Sequence, residues 1–332
     1  MTSDTFNALV VSAGEDNAYV RRIEQRHLSD LPEGDVLIRV NYSSLNYKDA
    51  LSAVGNKGVT RRYPHTPGID AAGTVIESRF ETFKPGDAVL VTGYDLGMNT
   101  SGGFGQYVRV PAEWVVPLPA GLSVKESMIY GTAGFTAGMS VHFLTERVKP
   151  QDGPVLVTGA TGGVGSVSVA VLAKLGYSVA AVTGKTAEEA FLKSIGASQI
   201  VGRADAADTS GRPLLKGQWA GVVDTVGGDI LATAIKSTQA WGTVTCCGNV
   251  ASPDLPLTVF PFILRGVRLV GIDSQNCPMD LRLKVWDNLA GPWKIEGLEK
   301  LCTEIALDGL SDNIDLILKG RQRGRVVVNL AD

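Results

Sequence analysis

Pro154-Val-Leu-Val-Thr-Gly-Ala-Thr-Gly-Gly-Val-Gly165 joins an apolar run to a glycine-dense turn, and a long apolar stretch of helical character follows from Ser166. A strand over Val155–Val157, a tight turn and a helix form the arrangement in which a dinucleotide pyrophosphate sits. Ala160, Gly162 and Gly165 take the three small-residue positions of the G-x-G-x-x-G spacing, with alanine at the first. Small residues let the backbone approach a phosphate, and the helix start offers unpaired N–H groups and a partial positive charge. The same turn also joins strands to helices without any ligand, so its surroundings have to decide.

Downstream, apolar runs and helical stretches alternate. Val179–Val182, a helix over 186–195, Gln199–Val201, Gly221–Asp224, Thr243–Cys246 and Arg268–Ile272 complete six candidate strands. Six strands with crossover connections predict an α/β doubly wound parallel sheet, the Rossmann type. Gly176 and Gly196 fall just past two helices, where a left-handed residue is wanted. The first 125 residues read differently. Val36–Val40, Gly73–Ile76, Ala88–Thr92 and Tyr107–Val110 are short β-type runs separated by turns such as Lys84-Pro-Gly-Asp87, which predicts a partly open β-barrel. Ser123-Val-Lys-Glu126 is a capping box that starts a helix. After Ile272, helical periods over 279–289 and 312–318 precede a strand over 325–330. The predicted layout is a barrel-type domain over 1–126 and 273–332, with the Rossmann domain inserted at 127–272.

A chain of 332 residues exceeds one ordinary core, which agrees with two domains. The net charge of −3 and the lack of a long basic run argue against nucleic acid as a partner. The uncharged stretch from Gly153 to Ala173 contains the glycine turn and several hydroxyls, so a buried strand and helix are expected there and no membrane partner. Met1-Thr-Ser-Asp4 shows no leader-like pattern, and Cys246, Cys247, Cys277 and Cys302 match neither a disulfide framework nor a zinc clamp. Reduced thiols and a cytoplasmic location are the expectation.

The second strand carries the cofactor choice. An NAD-preferring Rossmann domain ends that strand on an acidic residue about 20 positions past the glycines. Here it ends Val182-Thr-Gly-Lys185. Lys185 can pair with a 2′-phosphate, Thr183 can donate a hydrogen bond to it, and Gly184 gives the turn room. Arg203, after the third strand, supplies a second cation. NADPH is expected; the alternative is that Lys185 and Arg203 are solvated surface charges.

Ser44-Leu-Asn-Tyr-Lys-Asp49, Pro67-Gly-Ile-Asp-Ala-Ala-Gly73, Tyr130-Gly-Thr-Ala-Gly-Phe-Thr-Ala137, the glycine turn, Pro261-Phe-Ile-Leu-Arg265 and Gly271-Ile-Asp-Ser274 occur in this order. Together they resemble the medium-chain dehydrogenase/reductase superfamily in its zinc-free quinone oxidoreductase branch, and more narrowly the acrylyl-CoA reductase family. The resemblance spans nearly the whole chain and implies a GroES-like catalytic domain beside the Rossmann domain. It implies no metal: Asn46-Tyr47 and Gly68-Ile69-Asp70 stand where zinc-dependent relatives place ligands.

Tyr47 is the candidate near the reacting atoms, able to hydrogen-bond the cofactor or protonate an enolate; otherwise it is a half-buried barrel tyrosine. Asn46 and Lys48 flank it on a turn and are expected to point elsewhere. Asp70 either orients neighbours or supports a turn. Thr132, Asn249, Ile263 and Ser274 are implied as cofactor contacts, beside Gly162, Gly163, Val164 and Gly165 of the turn. Gly320 stands where related chains carry an asparagine that touches the cofactor. Arg265, Arg323 and Arg325 are candidates for holding the phosphates of a CoA thioester. The implied activity is NADPH-dependent reduction of an activated carbon–carbon double bond, acrylyl-CoA to propionyl-CoA, in a homodimer joined at Arg268–Ile272. Quinone or enal reduction is the alternative, and a cofactor-binding structural protein is the non-enzymatic one.

Overall fold

A computed structural model describes residues 4–331; Met1–Ser3, part of the segment read for a leader, and Asp332 lie outside the described residues. The chain forms two compact units, residues 1–132, 275–278 and 297–332 in the first and residues 133–274 and 279–296 in the second.

The first unit opens with a hairpin, β1 (Thr5–Ala13) and β2 (Tyr19–His27), paired antiparallel from Thr5↔His27 to Ala13↔Tyr19. There follow β3 (Val36–Leu45), α1 (Tyr47–Ala53), β4 (Asp70–Ser78), β5 (Ala88–Thr92), β6 (Tyr107–Val110), β7 (Val116–Pro117) and the first part of the long helix α2 (Val124–Thr145), which counts with the second unit from residue 133 onward. The unit is completed by β14 (Cys302–Ala306), α8 (Leu310–Leu318) and β15 (Arg325–Asn329) from the end of the chain. Its main sheet runs β14-β15-β3-β4-β5-β7, with β6 also on β3. The two C-terminal strands thus enter at β3, and the inward side chains Val36, Ile38, Val40, Val89, Val91, Val326 and Val328 form one core. The hairpin was not among the expected strands, because the charged run Arg21-Arg22 and Glu24-Gln-Arg26 hides the β period of an exposed edge.

The second unit contains β8 (Val155–Val157), α3 (Gly163–Lys174), β9 (Val179–Thr183), α4 (Glu189–Ser194), β10 (Gln199–Gly202), β11 (Trp219–Asp224), α5 (Gly228–Lys236), β12 (Thr238–Cys246), α6 (Phe260–Arg265), β13 (Arg268–Gly271) and α7 (Met279–Ala290). The six parallel strands are ordered β10-β9-β8-β11-β12-β13. This is the doubly wound order, with the crevice for a ligand at the carboxyl ends of β8 and its neighbours. β8 has only three residues, all at most 3% exposed, as a strand covered on both faces requires.

The expected boundary at residue 273 differs from the structure in one segment. Residues 279–296 pack with the Rossmann unit, because α7 buries Val285, Trp286 and Leu289. Trp286 stacks on Phe135 with ring centroids 5.8 Å apart, and a γ-carbon of Val285 lies 2.7 Å from where a Cβ on Gly138 would stand. Trp286 is fully buried, so Trp286→Ala should cost about 3–5 kcal/mol in urea unfolding. A loss under about 1 kcal/mol would mean that α7 is peripheral to this core.

Candidate active site

In the Rossmann unit the glycine turn stands at the carboxyl end of β8. Gly162 is the N-cap of α3, and Gly163, Val164 and Gly165 form the first turn of that twelve-residue helix. A Cβ on Gly165 would strike the carbonyl oxygen of Gly159 and lie 2.7 Å from Ala160 Cα, so only glycine lets the helix close onto the strand. The turn is clamped from β11. Asp224, fully buried, accepts from Thr158 Oγ1 at 2.7 Å and from the N–H groups of Val226 and Gly227 at 3.2 and 2.8 Å. Thr225 donates its own N–H to Thr158 Oγ1 at 2.9 Å.

The ends of β9 and β10 bring the expected phosphate-binding residues together. Thr183 Oγ1 accepts from the Lys185 N–H at 2.9 Å, and the Arg203 N–H donates to the Thr183 carbonyl at 3.0 Å. Arg203 Nε lies 3.2 Å from where a Cβ on the exposed Gly184 would stand. Partial burial pulls the Lys185 ammonium below its ordinary pKa; Glu188 opposes this and Arg203 adds to it. Two cations beside an open glycine suit a doubly charged anion, which would relieve that repulsion. Elsewhere in the unit Asn249 is exposed on the loop after β12, Ile263 is 67% exposed on α6, and Ser274 accepts from Thr136 Oγ1 at 2.9 Å.

In the first unit the organising group is Asp70, fully buried at the start of β4. It accepts from Ser44 Oγ at 2.5 Å, Asn46 Nδ2 at 2.7 Å, and Thr132 through both N–H (2.9 and 3.0 Å) and Oγ1 (2.6 Å). Arg325 Nη2 lies 3.9 Å away. Helix α2 breaks at Gly131 (φ 51°), where a Cβ would sit 2.5 Å from Asp70 Oδ2, so the break and the carboxylate require each other. Asp70 therefore orients neighbours, and Thr132 is held rather than free to rotate. Asn46 is the N-cap of α1, closing a capping box with Asp49 through its own N–H at 2.8 Å. Tyr47 is thereby the first helical residue, 40% exposed, while Asn46 turns inward and Lys48 Nζ donates to Gln275 Oε1 at 2.6 Å. The three residues diverge as expected, although they start a helix and not a turn.

Two of the three arginines offered for substrate phosphates are committed elsewhere, which corrects that expectation. Arg325 is 1% exposed and donates to the carbonyls of Ile129 and Leu45, to Asn46 Oδ1 and to Ser44 Oγ. Arg265 donates to the carbonyls of Lys236, Thr238 and Leu215. Gly320 (φ 64°) ends α8 in the left-handed region. Sequence reasoning missed Asp49 and Arg325 as members of the buried network; the Asn-x-x-Asp spacing at 46–49 was the available signal.

Residues 32–120 match the family described as alcohol dehydrogenase GroES-like domain, and residues 163–290 match zinc-binding dehydrogenase. The acrylyl-CoA reductase AcuI of Ruegeria pomeroyi is 46% identical over 98% of this chain and 99% of its own. The chain is a medium-chain dehydrogenase/reductase of the zinc-free branch. A putative quinone oxidoreductase, YhfP of Bacillus subtilis, is 44% identical over 99% of this chain and 100% of its own. The yhdH oxidoreductase of Salmonella enterica, solved in complex with NADP, superposes with a TM-score of 0.94 at 44% identity, covering 97% of this chain and 99% of that one. YhfP with NAD bound superposes with a TM-score of 0.96, covering 99% and 100%.

The metal that gives one of the matched families its description does not fit this medium-chain dehydrogenase/reductase. Asn46 and Asp70 offer neither thiolate nor imidazole, Asp70 is spent on four hydrogen-bond donors beside a guanidinium, and the described residues contain no metal-holding group of His, Cys, Asp and Glu.

Burial, joined by repulsion from Asp70, lifts Asp49 from 3.8 to about 7. The folded protein then keeps a proton that the unfolded chain releases, so stability falls as pH rises between those values and levels off above 7. The stability difference between the wild type and Asp49→Asn should change by up to about 1.4 kcal/mol per pH unit within that window. A difference independent of pH would show that Asp49 stays ionised.

Proposed function

We propose that this enzyme uses NADPH to reduce the activated carbon–carbon double bond of acrylyl-CoA, giving propionyl-CoA. The observation that carries the cofactor half is the meeting of Thr183, Gly184, Lys185 and Arg203 beyond a turn in which backbone packing forces Gly165 to stay glycine. The glycine cradle fits a pyrophosphate and the paired cations fit a 2′-phosphate. Gly162, Gly163, Val164 and Gly165 hold the former; Thr183, Gly184, Lys185 and Arg203 hold the latter. Tyr47, Thr132, Asn249, Ile263 and Ser274 are the further contacts that this reading carries. The substrate half is supported by the AcuI relative, which is named for acrylyl-CoA.

When bound, the cofactor supplies the hydride that the β-carbon of the thioester receives. The chain's own residues then serve the other end of the double bond. Addition at the β-carbon leaves an enolate, and its α-carbon takes a proton from Tyr47, whose phenol is exposed at the start of α1. The Asp70 network fixes the backbone from which Tyr47 projects, since Asn46, the preceding residue, is held on both its N–H and its amide. Reduction of a quinone at the same site is the second reading, favoured by the YhfP relative.

The enzyme works as a homodimer in this reading. β13 is an edge strand, and Trp241 on β12 and Val259 and Leu264 of α6 and its cap are 72%, 62% and 64% exposed. An open edge with large apolar side chains is a surface that a second copy would cover. Four free cysteines suit a reducing cytoplasm, and no helix among the described residues is long and apolar enough to cross a membrane.

NADPH consumption should be followed with acrylyl-CoA, crotonyl-CoA and a benzoquinone in parallel. Acrylyl-CoA should give the highest kcat/KM; turnover with the quinone alone would replace this reading by the second one. Tyr47→Phe should lose more than about tenfold in kcat, a larger loss than in NADPH affinity. An unchanged rate would remove Tyr47 from the chemistry.

Lys185→Ala should weaken NADPH by about tenfold or more and leave NADH nearly untouched, as expected for one charged hydrogen bond to a phosphate. Equal wild-type affinities for the two cofactors would contradict the assignment.

A further inference from the structure

Thr136 sits on the part of α2 that belongs to the Rossmann unit, and it is 5% exposed. Its Oγ1 donates to Ser274 Oγ at 2.9 Å. A hydroxyl that accepts a hydrogen bond keeps its own proton for another partner, and that proton points away from the donor. The backbone of Ser274 is fixed independently. Arg282, fully buried on α7, donates from Nη2 to the Ser274 carbonyl at 3.1 Å. The guanidinium lies 4.8 Å over the ring of Phe135, and that ring stacks on Trp286.

Ser274 thus has its hydroxyl oxygen and its carbonyl pinned by two buried side chains, while it remains partly exposed itself. The sheet does not require this, because β13 ends at Gly271, three residues earlier. Burying a guanidinium and a hydroxyl costs free energy unless each is hydrogen-bonded, and both direct a bond to the same residue.

We propose that Thr136 and Arg282 are positioning residues that present the Ser274 hydroxyl as a donor to a carbonyl oxygen of the kind found on a nicotinamide carboxamide. The proposal rests on the reading of Ser274 as a cofactor contact. Neither Thr136 nor Arg282 touches the cofactor in this account; both act through Ser274.

A double-mutant cycle on the NADPH dissociation constant, read by protein fluorescence together with unfolding temperature, tests it. Ser274→Ala should weaken NADPH by about tenfold, the value of one hydrogen bond to a carbonyl. Thr136→Val should weaken it by a similar factor, Thr136→Ser should restore wild-type affinity, and Thr136→Val should add nothing in the Ser274→Ala background. A Thr136→Val effect of equal size in that background would overturn the proposal, because Thr136 would then act without Ser274. So would an unchanged affinity in Thr136→Val while Ser274→Ala is weakened. If Thr136→Val does not fold, Thr136→Ala is read through the same cycle. Failure of Ser274→Ala itself to weaken NADPH would strike the underlying contact, and the proposal with it.

Discussion

The buried carboxylate of Asp70 is the constraint around which the catalytic unit is assembled. A carboxylate taken out of water is tolerated only when its oxygens are filled, and here Ser44, Asn46 and Thr132 fill them while Arg325 stands nearby. Those partners come from the end of β3, the cap of α1, the break in α2 and β15 near the end of the chain. One group therefore fixes the start of the helix that carries Tyr47 and the orientation of Thr132. Arg325 repays its own burial by closing the same network with four hydrogen bonds. That requirement, rather than any substrate, explains its place in the chain.

The Rossmann unit solves a parallel problem with a second buried carboxylate. Asp224 ties β8 to β11 at their carboxyl ends, beside the glycine-rich turn. Burial raises the Asp224 pKa, and the bonds from Thr158, Gly227 and Val226 oppose that shift. Both units thus use a buried aspartate as a joint between strand ends.

The parallel sheet was legible because continuous apolar strands and glycine stops leave strong local marks. The six parallel strands, the capping box at Ser123–Glu126 and the grouping of Thr183, Lys185 and Arg203 leave their marks within a strand, a turn or neighbouring strands. What escaped was long-range. Arg325 and Asn46 are 279 residues apart, and nothing local distinguishes a buried arginine from a surface one. Arg265, Arg323 and Arg325 read as possible phosphate holders for that reason. α7 was placed with the wrong neighbours because its apolar face is visible in sequence whereas the partner of that face, Phe135 on α2, is not. The β1–β2 hairpin was obscured by the charges that protect its edge.

Isotopic labelling reads hydride delivery to an alkene carbon directly. NADPH deuterated at C4 of the nicotinamide would be turned over with acrylyl-CoA in ordinary water, and the thioester product examined by mass spectrometry and NMR. The expected result is a single deuterium at the β-carbon of propionyl-CoA and a solvent-derived proton at the α-carbon. Label on the former carbonyl carbon, or cofactor oxidation with no labelled propionyl-CoA, would contradict it.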